Sequence, residues 1–162
     1  MIKYAKKDNF YSIFPMGEIP NDWEELTKEE YDKHFEKNLD ELKSEKLSEL
    51  TAITSKFDNQ LVNTDMIIKS SLGFSINADL RSQLNIRRLI SIGTEPVSFI
   101  VADNTTVDLS LAQLNILISE CEENMQYLFD LKQSYKKQIT DATTKEELDA
   151  IKIKFEMLDF RD

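Results

Sequence analysis

A chain of 162 residues with 41% hydrophobic content can bury a substantial core, which excludes both a pair of full catalytic domains and a wholly disordered polymer. Twenty Lys and Arg against 30 Asp and Glu leave a net charge of -10, so the surface as a whole repels phosphate backbones and anionic lipid. Direct nucleic-acid binding and membrane binding are therefore not expected. Three glycines and three prolines allow few tight turns and no glycine-rich phosphate loop, which points to long helices with few connections. The single cysteine, Cys121, cannot close an internal disulfide, and no stretch has the form of a signal peptide or membrane span. A soluble protein of a reducing compartment, not exported by a cleaved signal, is the expectation.

The first 23 residues hold Tyr4, Phe10, Tyr11, Phe14 and Trp23 together with Pro15 and Pro20. Ile2-Lys3-Tyr4 and Tyr11-Ser12-Ile13-Phe14 read as a hairpin across Lys7-Asp8-Asn9, ended by Pro15 and Gly17. Thr27 to Glu30 has the spacing of a capping box, so a helix is predicted there. Apolar residues then recur at Phe35, Leu39, Leu42, Leu50, Ile53, Phe57 and Leu61, which predicts one long helix reaching Lys56 or beyond. Its first half, Glu24 to Leu50, carries ten acids and five lysines beside a narrow apolar stripe, a pattern suited to a coiled coil or a partner's groove. The connector from Asn63 to Gly73 has no clear period.

Phe74-Ser75-Ile76 alternates like a short strand, and Asn77-Ala78-Asp79 offers a cap for a helix burying Leu80, Leu84, Ile86, Leu89 and Ile90 and stopping at Gly93. Val97 to Val101 and Thr106 to Leu109 flank Ala102-Asp103-Asn104-Thr105 as a second hairpin. Ser110 and Gln113 form another capping box, opening a helix with apolar positions Leu111, Leu114, Ile118, Cys121, Met125, Leu128, Tyr135 and Ile139. After Asp141-Ala142-Thr143-Thr144 a last helix is expected from Lys145 to about Met157, with Leu148, Ile151 and Phe155 inward. The fold class is α+β, mainly helical, with long coiled-coil-like helices and two small β-hairpins. Three regions follow: an aromatic-rich β module over 1–26, a charged helix and connector over 27–72, and an α+β domain over 73–162.

Candidate chemistry is sparse. The only histidine, His34, sits in the charged first helix, and Cys121 lies on an apolar stripe where free thiols usually act as small hydrophobes. Acid pairs such as Glu122-Glu123 and Glu146-Glu147 are inevitable among thirty carboxylates, and Asp103-Asn104 lacks the glycine and closing glutamate of a calcium loop. Arg81, Arg87 and Arg88 form the one local excess of positive charge, open to salt bridges with the chain's own acids or to an anionic partner. No catalytic residue, metal or cofactor is assigned. The aromatic N-terminus either packs on its own chain or serves as an anchor for a partner or for self-association. On the second reading Tyr11, Phe14, Trp23, Tyr31, Phe35, Leu39 and Leu42 form the interface.

Three stretches carry a family resemblance: Asn77 to Ile86, Phe99 to Leu109 leading into Leu111-Ala112-Gln113-Leu114, and Lys137 to Ile151. Together, from about Leu47 to Phe155, the chain resembles a domain-of-unknown-function family of tailed-bacteriophage and prophage proteins often associated with tail fibres. Phe99 stands where that family often has tryptophan, and extra residues precede Gly73. The resemblance implies a non-enzymatic tail protein, either a virion component near the fibres or a fibre-assembly chaperone, located in the virion tail or the host cytoplasm. Its partners would be tail or tail-fibre proteins, met through helical contacts. Asp79, Ser82, Gln83 and Asn85 would carry over as family marks, with capping and packing as their role. The charge of -10 supports an alternative, an acidic decoy that occupies the DNA site of a host enzyme.

Overall fold

The computed structural model describes residues 2–15, 18–63 and 66–161, with the backbone alone at His34 and Phe35. The chain divides into two units, Met1–Glu41 and Leu42–Asp162. The hairpin end expected at Gly17 and the Thr64-Asp65 part of the connector lie outside the described residues.

In the first unit, β1 (Lys3–Lys7) and β2 (Phe10–Phe14) pair antiparallel with Lys7 opposite Phe10, so the turn is Asp8-Asn9. Asp8 takes a left-handed φ of 53°, which short polar side chains tolerate in two-residue hairpins. A third strand, β3 (Glu24–Leu26), covers the other edge of β1; it falls inside the β module expected over 1–26 but is a strand beyond the hairpin read there. Cross-strand charge favours this pairing: Lys6 lies 3.0 Å from Glu24 and Lys3 lies 3.4 Å from Glu25.

The capping box opens α1 (Lys28–Phe35) as its spacing predicts, Glu30 N–H donating to Thr27 Oγ1 and Thr27 N–H to Glu30 Oε2. The single long helix does not form. Glu36 turns extended at ψ 128°, and α2 (Leu39–Asn63) starts afresh from Asn38. Asn38 and Glu41 reciprocate their backbone and side-chain bonds at 2.9 Å each, a second cap hidden inside the charged run.

The second unit holds the core. The aperiodic connector contains β4 (Ile67–Lys69), which pairs with β5 (Ser75–Asn77) and adds a hairpin beyond the two expected. The cap of α3 (Leu80–Ile92) is Asp79, fully buried, whose carboxylate accepts from Ser82 N–H at 3.0 Å and from Ser82 O–H at 2.7 Å. The helix stops at Gly93, as predicted. The hairpin of β6 (Val97–Ile100) and β7 (Thr106–Leu109) also forms as read, with Val97 opposite Leu109. Ser110 and Gln113 then cap α4 (Leu111–Asp141), which runs for 31 residues. One apolar cluster joins the two hairpins, α3 and α4 through Ile68, Ile76, Ile86, Phe99, Leu114 and Leu117. Leu80 and Leu84, expected in it, are exposed instead. Alternate turns of α3 already fill the contact with α4 through Gln83, Ile86 and Ile90, leaving those two on the outer side.

The last helix is short. α5 (Lys145–Ala150) ends at Ile151, and residues 151–158 run extended, with burial alternating along Ile151-Lys152-Ile153-Lys154-Phe155-Glu156-Met157. That alternation is a period of two, the signature of a strand-like segment with one buried side. The segment lies along α4, where Tyr135 O–H donates to Lys154 C=O at 3.3 Å and accepts from Lys154 N–H at 3.1 Å. The Phe155 ring sits 5.5 Å from Phe57 and 5.7 Å from Tyr135. It ends in a parallel bridge of Asp159 to Lys69, with Phe160 N–H on Lys69 C=O at 2.9 Å. Bonds from Arg161 and then Lys69 hold the Asp159 carboxyl well below the usual carboxylate range. A depressed pKa means that this contribution is complete above ordinary carboxylate pKa values, about 4, and is lost as pH falls through the lowered one.

No described helix is long and apolar enough to cross a membrane. The backbone of Gly93 has φ 70°, and a Cβ built there meets nothing within 4 Å, so Gly93→Ala is expected to cost only the left-handed backbone strain, about 1 kcal/mol. A thermal melt showing more than twice that loss would mean that side-chain crowding, absent here, decides the stop.

Candidate functional site

The residues of the expected aromatic interface separate into distinct groups. Tyr31 of α1 packs its ring 5.0 Å from Tyr4 and 6.3 Å from Tyr11, and Phe14 meets Trp23 edge-on at 5.6 Å. Tyr11, Phe14, Trp23 and Tyr31 are accordingly half-buried within their own unit. Leu39 and Leu42 are half-buried, one turn apart on α2, and the side chain of Phe35 lies outside the described residues. Phe10, not assigned to the interface, is the aromatic left most open among the described side chains of this unit, at 72% exposure.

The second unit accounts for most of the remaining candidates structurally. The Cys121 thiol is buried, and burial, followed by the nearby Glu120 and Glu122 carboxylates, pushes it up to about 12. A thiol so protonated is a poor nucleophile. We expect no labelling of the folded chain by an aromatic disulfide reagent at pH 8 and one equivalent after unfolding; prompt stoichiometric labelling of the folded chain would disprove the assignment. The side chain of His34 is outside the described residues. Among the described residues, no group of three or more His, Cys, Asp or Glu is placed to hold a metal ion.

Asp103 and Asn104 form a turn, not a calcium loop. Asp103 Oδ1 accepts from Thr105 O–H at 2.7 Å and from Thr105 N–H at 2.9 Å, and Asn104 takes φ 65°. These two bonds hold the Asp103 carboxyl below its ordinary range. Of the three arginines on α3, Arg87 pairs with Glu122, while Arg81 and Arg88 are exposed and form no ion pair among the described residues.

Two buried polar groups on α4 escaped the sequence reading. Asn124, fully buried, accepts from Leu158 N–H at 2.9 Å through Oδ1 and directs Nδ2 to Met157 Sδ at 3.4 Å. Glu120 accepts from Ser71 N–H at 2.9 Å and Ser71 O–H at 2.5 Å through Oε1. Its other oxygen, Oε2, is buried with no hydrogen-bond partner among the described residues. Both lie one turn apart inside the apolar stripe of Leu117, Cys121 and Leu128, and that interruption was the available signal. Their chemistry is structural: Glu120 holds the turn of the β4–β5 hairpin, and Asn124 holds the extended segment. Beside that segment, Phe57, Leu61, Met66, Met125, Leu128 and Phe155 line an apolar cleft of about 180 Å³.

Residues 41–152 match a protein family described as a domain of unknown function, DUF4376. No curated protein and no solved structure matches the chain.

Proposed function

We propose that this chain, which belongs to the DUF4376 family, is a non-enzymatic tail-associated protein of a bacteriophage or prophage. It acts either as a virion component near the tail fibres or as a chaperone of their assembly, and its partners are tail or tail-fibre proteins. The site of action is the virion tail, the host cytoplasm, or both in succession.

Contact with another protein, not chemistry on a small molecule, is the mode of action. The observation that carries it is the number of large apolar side chains open to solvent: among the described residues, Ile2, Phe10, Val62, Leu84, Ile92, Ile100 and Phe129 are each more than half exposed. The sequence resemblance supplies the setting, and the long helices α2 and α4 supply stiff supports for such contacts.

Mass spectrometry of purified particles and of the matched clarified lysate from an infected or induced host tests the reading. A fixed copy number per particle supports the structural role, and recovery only in lysate with a fibre protein supports the chaperone role. Absence of any tail association rejects both and favours the acidic decoy, for which the charge of -10 is the supporting observation. Competition with DNA for a host enzyme then becomes the decisive assay.

A further inference from the structure

The outer face of α3 differs from the rest of this acidic chain. Its sequence, LRSQLNIRRLISI, contains no Asp or Glu, although the chain has thirty. Gln83 and Ile86 are buried, and Leu89 and Ile90 pack partly against the core. On the opposite side Arg81, Leu84, Arg88 and Ile92 follow one another at steps of three, four and four, with Leu80 beside them. Leu84 is 68% exposed, Ile92 58% and Leu80 45%. Between α3 and β6 the ridge is bordered by a shallow pocket of about 210 Å³, with Ser82, Asn85, Ser98 and Ile100 among its walls.

We propose that the outer face of α3 docks an acidic amphipathic helix of a partner protein, its leucine-like side chains on Leu80, Leu84 and Ile92 and its carboxylates on Arg81 and Arg88. Charge decides the occupant. A second copy laid face to face on the same ridge would bring the guanidiniums of both copies together with no acid between them. The chain's overall charge of -10 repels an acidic segment at long range, so a segment bearing carboxylates alone is turned away. Only one that also offers an apolar stripe gains enough at close range to bind. This deepens the helical-contact reading above by moving the contact surface to α3 and fixing the partner's chemistry.

The test uses the full chain and synthetic peptides of about 20 residues, long enough to be helical when bound. One has leucines at helical spacing with glutamates elsewhere, and a second has the leucines replaced by serine. A short DNA duplex is the third probe. Fluorescence anisotropy should show saturable binding of the first peptide only. Arg81→Glu with Arg88→Glu, and separately Leu84→Ser, should each weaken it about tenfold, the equivalent of about 1.4 kcal/mol, with the thermal melt unchanged. Because every one of these side chains is on the solvent side, loss of fold is not expected to confuse the result. Equal binding of both peptides, or binding that survives both variants, overturns the proposal. So does Arg-dependent capture of the duplex, or self-association abolished by Leu84→Ser, which would make a second copy the occupant. No phage component enters the assay, so it fails or succeeds separately from the particle measurement.

Discussion

Leu117→Ala is expected to lower the stability of the 42–162 unit by about 3 kcal/mol, seen as a fall of roughly 10 °C in the melting temperature. Leu117 is fully buried on α4, within the cluster that holds both hairpins of this unit and α3. Removing three carbons there costs their transfer from water and leaves a void, and the long helix cannot bend inward to fill it. Leu84→Ala, one of the exposed leucines of α3, serves as the internal comparison and is expected to change stability by no more than about 0.5 kcal/mol. Equal losses for the two substitutions would show that the core has been placed on the wrong side of α3.

Asn124→Leu should cost about 2 kcal/mol although it exchanges a polar residue for an apolar one of similar size. Leu158 N–H loses its acceptor, and an amide left unpaired in a buried setting carries its full desolvation penalty. The loss has a local signature. Amide hydrogen exchange at Leu158 should quicken and spread along residues 153–158, while the amides of β6 and β7 keep their protection relative to the new global stability. Unchanged exchange at Leu158 would mean that the extended segment is held by the Phe155 ring contacts and the Tyr135 bonds without help from Asn124. A stabilising effect would show that the amide's own burial costs more than its two bonds return.

These two substitutions also mark what was and was not legible in the chain. Leu117 was missing from the positions assigned to the α4 stripe, although its neighbours Leu114, Ile118 and Cys121 were assigned correctly, because a helix buried by several neighbours needs a wider face than a strict seam. Asn124 and Glu120 break that face, and their partners, Leu158 and Ser71, are 34 and 49 positions away. A local period cannot announce a bond of that range. Among the candidate contact residues, Tyr11 packs with Tyr31 and Phe14 with Trp23, while on the exposed ridge of α3 the period reads Leu80 and Leu84 as core. An apolar residue on an amphipathic helix reads as buried until the neighbouring elements show which faces they occupy.

Sequence alone determined the features whose energy is settled within a few residues. Thr27 with Glu30 and Ser110 with Gln113 close their boxes on adjacent amides, Gly93 supplies the left-handed φ that ends α3, and alternating Val97, Phe99 and Val101 commit the second hairpin. Tertiary structure decided the rest. Residues 24–26 became a strand because β1 offered an open edge with Lys6 opposite Glu24 and Lys3 within reach of Glu25 on the diagonal. Residues 151–158 became an extended segment because Asn124, Tyr135 and Phe57 reward alternation, where a helix would present those contacts on the wrong period. In both places the local preference is worth about a kilocalorie per mole or less, and a few long-range hydrogen bonds and buried rings are enough to overrule it.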